Sequence, residues 1–212
     1  MSASSIPGIP FPDTALAEDA RALAEAHSPD FLYHHVMRTY AFGMLIAQAR
    51  RLELDREQLF LGAVLHDLGV TRAGLGPQRF EVEGADWALR FLLERGYPEA
   101  KAEVVWDAIA LHTAMGIAHR KRPEIALVHL GAGVDVIGQG LEALPRDAVE
   151  AILAAYPRLG FKTQMLEALL DTVRANPGAG RHTFLMDAAR SCIPGFSCPT
   201  FPELLAGAPF VE

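Results

Sequence analysis

Residues 60–69 read Phe-Leu-Gly-Ala-Val-Leu-His-Asp-Leu-Gly, so an adjacent histidine and aspartate, His66 and Asp67, end an apolar run. The run is shorter than the roughly 20 apolar residues that cross a membrane, which predicts the end of a buried helix, with Gly69 as its stop signal. Burying an imidazole beside a carboxylate is costly unless the groups are paired or bind a metal ion. Taken alone, the dipeptide fits a metal site and a hydrogen-bonded core histidine equally well.

The composition is that of an ordinary soluble globular protein. The chain has 212 residues, 50% of them hydrophobic and 21% charged, enough for one domain with a substantial core. The formal net charge of −7 argues against a nucleic-acid surface, because phosphate binding needs clustered Lys and Arg. The cysteines, Cys192 and Cys198, form neither a disulfide framework nor a good zinc signature. Without a signal-peptide or membrane-spanning pattern, we expect a cytoplasmic location.

The helix signals predict an all-α fold with a single domain. Residues 1–12 are rich in Ser, Pro and Gly and are expected to form a flexible arm. Residues 13–212 are expected to form the domain, with a metal-site core at about 30–138 and a helical C-terminal extension. No segment shows the period-2 alternation of a β-strand. The predicted helices cover about 13–26, 29–51, 55–67, 79–94, 98–113, 123–137, 145–156, 161–175 and 184–191.

Polar residues fall in apolar surroundings on four of these helices, at His35, His66-Asp67, His112 and Asp135. His112 shares an apolar stripe with the residues four and seven positions before it. Asp135 has no nearby Lys or Arg in sequence, so a buried carboxylate there needs a metal ion or a distant partner. Each residue alone is explained more simply as part of the core. Their joint occurrence favours a metal site, because imidazole and carboxylate ligands suit Zn, Fe or Mn.

The order of these residues resembles the H...HD...D signature of the HD-domain metalloenzyme superfamily. The surroundings resemble its cyanamide hydratase-like branch over about Asp30 to Gly138, in the stretches 35–38, 65–71, 79–86, 109–113 and 133–138. The resemblance implies an HD-domain helical bundle that binds one divalent metal ion, zinc before iron or manganese. It also implies a set of metal ligands, namely His35, His66, Asp67 and Asp135.

The same resemblance implies that metal-activated water attacks a small electrophile. Many phosphohydrolases of the superfamily carry a Lys shortly after the His-Asp pair, where this chain has Val70-Thr71-Arg72. We therefore expect Thr71 to bind a neutral substrate by hydrogen bonding. Asp67 and His112 are the expected proton-transfer groups, and Glu83 is a further candidate for contact with substrate or with a ligand histidine.

Two further residues lie near the expected ligands in the sequence. Arg38 lies one turn after His35, where it either orients a ligand carboxylate or makes a surface ion pair. His129 precedes Asp135 by six residues, points away from it on a helix, and is expected to be structural.

Several functions stay open on the sequence alone. The first is a metal-dependent hydratase acting on a small neutral molecule, and the second is an HD-family phosphohydrolase acting on a nucleotide or another phosphate ester. A third, a ligand-binding domain without turnover, is disfavoured by the intact ligand set. Redox chemistry at a second metal is disfavoured because few further histidines are well placed. The expected partner is a small-molecule substrate, with no nucleic acid or membrane, and a homo-oligomer stays open.

Overall fold

The structure, a computed structural model, describes residues 6–209. Over this range it is built from α-helices, loops and single 3-10 turns, and it contains no β-strand. One isolated β-bridge joins Ile6 and Ile9. The predicted all-α fold is thereby confirmed. No helix in this range is both long and apolar enough to cross a membrane. The helices are α1 (Ala15–His27), α2 (Asp30–Arg50), α3 (Arg56–Leu65), α4 (Phe80–Glu94), α5 (Glu99–Ala110), α6 (Pro123–Ile137), α7 (Arg146–Ala155), α8 (Phe161–Ala175), α9 (Phe184–Cys192) and α10 (Phe201–Ala206).

Local signals explain where most of these helices begin and end. The Asp55 side chain accepts hydrogen bonds from the first backbone amides of α3, and Gly138, at φ 73°, ends α6 in the left-handed region. The prediction that the fifth helix continues to Thr113 is wrong, because α5 ends at Ala110. The next residues use their side chains instead: the His112 ring bonds the Ile109 carbonyl oxygen, and the Thr113 hydroxyl donates to the Glu81 carboxylate. The short α10 was not predicted, although a capping box of Thr200 and Glu203 starts it.

Helices α2 and α6 form the centre of the molecule, with α3 and α5 packed beside them. Small residues let the two central helices approach closely. A Cβ atom on Gly131 of α6 would lie 2.2 Å from the Thr39 carbonyl oxygen of α2, and one on Gly43 would lie 3.2 Å from the Leu127 carbonyl oxygen. This close contact sets the distance between the helices that carry His35 and Asp135.

The described part of the predicted flexible arm is packed. Ile6 and Ile9 are buried in the main core, and the Tyr40 hydroxyl donates a 2.6 Å hydrogen bond to the Pro10 carbonyl. The Phe11 ring lies 5.0 Å from the Tyr40 ring between centroids. The expectation of a flexible arm is therefore corrected for residues 6–12, because the apolar side chains of Ile6, Ile9 and Phe11 pack against the core despite the Pro- and Gly-rich composition. Residues 1–5 lie outside the described range.

Helices α8 and α9 pack over one end of the central layer through two small apolar clusters. In one, Phe161 and Met165 of α8 contact Phe31 and Leu32 at the start of α2. In the other, α8 and α9 contact Val70 and Phe80, which follow the His66-Asp67 turn. The C-terminal helices thus cover the side of the molecule on which the His-Asp pair lies.

We expect Gly131→Ala to lower the free energy of unfolding by about 1–3 kcal/mol, the usual cost of overpacking a core. The added methyl group would collide with backbone and push α2 and α6 apart, and chemical denaturation measures the loss. Gly133→Ala on the same helix is the matched control, since its Cβ would meet the flexible Gln139 side chain, at 2.9 Å. Equal stability of Gly131→Ala and wild type would contradict this account of the helix contact.

Candidate metal centre

Three of the predicted metal ligands converge in the interior. His35 lies on the inward face of α2, while His66 and Asp67 lie in the turn between α3 and the 3-10 turn at Leu68–Val70. One ligand atom from each of the three lies within 4.8 Å of the others, and all three residues are buried. Because α3 ends at Leu65, the adjacent His66 and Asp67 leave the helical spacing and both reach the same point.

Hydrogen bonds fix which nitrogen of each ligand histidine faces this point. His35 Nδ1 lies 2.7 Å from a carboxylate oxygen of Asp135, and His66 Nδ1 lies 2.7 Å from the Ala63 carbonyl oxygen. Both partners are acceptors, so each Nδ1 carries the proton and donates it. In the neutral rings this leaves two lone pairs facing each other, with the Nε2 atoms 3.2 Å apart. Two such acceptors are stable at that distance only with a cation or a proton between them.

The third member of the group supplies negative charge. Asp67 Oδ2 lies 3.2 Å from His66 Nε2 and 3.4 Å from His35 Nε2. Burial favours a higher pKa for Asp67, but the neighbouring imidazoles of His66, His35 and His112 outweigh it and hold the pKa well below its usual range. Two imidazole nitrogens and one carboxylate oxygen are a donor set that fits a divalent transition metal and leaves coordination positions for water or substrate.

Asp135 does not join this group of three. Its carboxylate is fully buried and accepts two hydrogen bonds of 2.8 Å from Arg38, one of 2.7 Å from Arg158 and one of 2.7 Å from His35 Nδ1. These bonds engage both oxygens, so Asp135, which the sequence predicted as a direct ligand, contacts the group of three through His35. Burial opposes ionisation, yet the bonds from His35 and Arg38 hold the pKa of Asp135 well below its usual range.

Arg38 lies in the interior, not in a surface ion pair. Besides Asp135 it contacts the carbonyl oxygens of Tyr156 and Pro157, at 3.0 and 3.1 Å, so every side of its guanidinium is occupied. Sequence reasoning did not find Arg158, which follows α7 and is 23 residues from Asp135. No sequence signal marked it, because the loop after α7 is brought to α6 only by folding.

His112 lies beside the group of three. Its ring centroid is 4.7 Å from that of His66, and its Nε2 is 3.6 Å from Asp67 Oδ1. Its Nδ1 donates a 2.6 Å hydrogen bond to the Ile109 carbonyl oxygen, which leaves Nε2 as an acceptor that faces the centre. Burial, with the neighbouring His66, lowers the pKa of His112 to about 4.

The two residues predicted to bind substrate lie elsewhere. The buried Thr71 hydroxyl donates to the Leu68 carbonyl oxygen at 2.6 Å and accepts from the Gly74 amide at 3.2 Å, so it closes the turn after the His-Asp pair. Glu83 accepts from the Gln78 amide at 2.8 Å and organises the loop before α4. Neither residue lines the cavity over the centre, where the sequence predicted contact with substrate.

Glu81 is a further buried carboxylate in this region, beside Asp67 and Asp135. It pairs with Arg79 at 2.8 Å and accepts a 2.5 Å hydrogen bond from the Thr113 hydroxyl, next to His112. Glu81, the second residue of α4, turns inward, whereas Glu83 points to the loop. The two positions differ by two residues on the same helix, and only packing distinguishes them.

A cavity of about 600 Å³ opens above the three ligands. His35, His66 and Asp67 line its floor together with His112. His129, which the sequence predicted to be structural, also lines it, with Nδ1 2.7 Å from the His112 carbonyl oxygen. The sequence contained a signal for this position beside a cavity, because His129 shares a helix face with the small residues Ala132 and Gly133.

Comparison with known families agrees with this arrangement. The HD domain family model matches residues 32–155, more than half of the chain. The chain belongs to the HD domain family. HD-domain proteins are largely metal-dependent hydrolases, and the matched range contains the three converging ligands, Asp135 and His112. No curated protein sequence matches the chain closely enough to count as a relative.

We expect His66→Ala and Asp67→Ala each to remove the bound metal, because each takes away one of three converging donors. Metal content per chain is the measurement, with thermal melting as a check of folding, since a lost ion also lowers stability. His34→Ala is the matched control: its ring bonds the Pro157 carbonyl oxygen at 2.9 Å, away from the centre. Full metal occupancy in either ligand variant would show that the assignment is wrong.

We expect Asp135→Asn to weaken metal binding by about 10–100-fold, the usual effect of losing a group that orients a ligand. It should also lower the free energy of unfolding by about 3 kcal/mol, because Arg38 is left as an uncompensated buried charge. A metal titration and a denaturant titration measure the two effects. The control is Asp107→Asn, the same change at a partly exposed aspartate. Complete loss of metal without loss of stability would instead identify Asp135 as a direct ligand.

Proposed function

We propose that this HD-domain protein is a hydro-lyase that adds water to a small neutral substrate with an unsaturated carbon–nitrogen bond, as a cyanamide hydratase does. We assign the metal as zinc, which imidazole and carboxylate ligands suit well, with iron and manganese as alternatives. One observation carries the proposal. The metal-donor group opens into a cavity whose described lining includes one arginine, Arg79, and no lysine.

The charge around the cavity supports a neutral substrate. Arg79 is already paired with Glu81, at 2.8 Å. Arg38 and Arg158 bond Asp135 behind His35 and do not line the cavity, and the exposed Arg72 lies outside it too. A doubly charged phosphate is normally held by several charge-assisted hydrogen bonds. In this cavity a phosphate would lie near the metal, one arginine that is already paired, and the negatively charged carboxylate of Asp67.

The side chains at the floor can move the protons that hydration requires. When bound, the metal supplies Lewis-acid polarisation and lowers the pKa of water toward about 7. His112 Nε2, whose partner nitrogen is bonded to Ile109, can accept a proton from water as the oxygen bonds to the substrate carbon. The same nitrogen can return that proton to the substrate nitrogen, so that the sum is addition of H₂O. Asp67 holds negative charge beside His112 and stabilises its protonated form.

A phosphohydrolase is the second candidate, and the position of Arg79 favours it. The Arg79 side chain is 43% exposed at the cavity, so it can turn from Glu81 toward an anion. The metal would also offset part of a phosphate charge. The two functions therefore use the same metal-binding residues but predict different substrates.

We expect metal-loaded protein to hydrate cyanamide, nitriles or isonitriles and to leave nucleoside monophosphates and a generic phosphate ester unchanged. We expect His112→Ala to lower kcat by roughly 10²–10⁴-fold with metal retained, the usual scale for a positioned acid-base group. His119→Ala, an exposed histidine that does not line the cavity, is the control. Robust hydrolysis of a nucleoside monophosphate with no turnover of the nitrogen compounds would overturn the hydratase proposal while leaving the metal centre intact.

A further inference from the structure

We propose that the substrate of this site carries an apolar body, an alkyl or aryl group, attached to its reactive head. The head would lie at the metal centre, and the body would lie against an apolar wall formed by α6 and α8. This inference rests on the proposed function for the chemistry of the head. It goes beyond that function because it assigns the larger part of the cavity to a second portion of the substrate.

The size of the cavity is the first argument. Its volume is about 600 Å³, which is within the range of about 300–1,000 Å³ typical of sites that hold a drug-sized ligand. A molecule of three heavy atoms such as cyanamide displaces roughly two waters of about 30 Å³ each. It would fill about a tenth of the space and touch only the floor. A substrate that uses the site fully is therefore several times larger.

The lining is divided into a polar floor and apolar walls. The histidines and Asp67 lie together at the floor. One wall is a face of α6, where Ala132, Val136 and Ile137 follow His129 at helical spacing. Met165 and Leu169 of α8 form the other wall. A ligand with a polar head and an apolar body matches this division, because each part meets surface of its own kind.

Exposed apolar side chains at the mouth are a third observation. Met115 is 71% exposed, Ile137 68%, Phe184 44% and Val136 40%, and all four line this one cavity. They come from three different segments, the loop after α5, the end of α6 and the start of α9. Large apolar side chains gathered on the surface around one opening mark a ligand or interaction site. Their position extends the apolar wall from the interior to the mouth.

The decisive experiment is a homologous series of neutral substrates from acetonitrile to hexanenitrile, with phenylacetonitrile as the aryl member, on metal-loaded protein. We expect kcat/KM to rise about fourfold with each added methylene, which corresponds to the usual gain from burying that group. A flat or falling series, with acetonitrile or cyanamide as the best substrate, would overturn the inference and leave the proposed function standing.

Variants of the wall test the same point by a ratio, kcat/KM for hexanenitrile over that for acetonitrile. We expect Ala132→Leu, which fills part of the cavity, and the exposed changes Met115→Ser and Ile137→Ser to lower this ratio at least threefold. Ala154→Leu on α7 and Leu93→Ser on α4 change exposed residues away from the cavity and are the matched controls. An unchanged ratio in Met115→Ser and Ile137→Ser, neither of which alters the core, would contradict the assignment.

A binding measurement separates failure of this inference from failure of the proposed reaction. Unreactive alcohols from ethanol to 1-hexanol are titrated into metal-loaded protein by calorimetry, with Ile137→Ser in parallel. Affinity that rises with chain length, and falls in Ile137→Ser, supports the apolar subsite even if no nitrile is turned over. Equal affinity along the series would overturn the subsite whatever the reaction is.

Discussion

The buried Asp135 carboxylate is the interaction on which the rest of the site depends. It receives hydrogen bonds from His35 and Arg38 of α2 and from Arg158 after α7, while it is itself part of α6. One carboxylate thus joins three segments and fixes the orientation of the His35 ring. The ring then presents Nε2 to His66 and Asp67. A buried ion pair of this kind stabilises the fold only when every oxygen is satisfied, and here both are.

This arrangement requires a close approach of α2 and α6. Gly131 and Gly43 allow the two backbones to touch, and the contact brings Asp135 within hydrogen-bond distance of His35 and Arg38. The end of α3 supplies the other half of the site, because His66 and Asp67 converge only after the helical spacing stops at Leu65. The candidate metal centre is therefore a product of one tight helix contact and one helix end.

The helices that cover the centre lie partly outside the range that the HD domain family model matches. That range, 32–155, contains the metal donors and the face of α6, whereas α8 and the start of α9 supply the opposite wall and part of the mouth. The family thus accounts for the reactive end of the cavity. The later helices supply part of its apolar lining and of its mouth.

The sequence by itself determined the all-α class and most helix limits, and it marked candidates for a metal site, namely His35, His66, Asp67, His112 and Asp135. These features depend on local information: apolar periodicity, the cap at Asp55, the proline that starts α6 at Pro123, and an apolar context around each polar residue. Tertiary structure decided that Asp135 bonds His35, that Arg158 completes its hydrogen bonds, and that Glu81 rather than Glu83 is buried. It also drew Thr71 into its own turn and packed residues 6–12 against α2. Each of these outcomes depends on which groups folding brings within about 3 Å, a distance at which hydrogen bonds form and which no local pattern along the chain encodes.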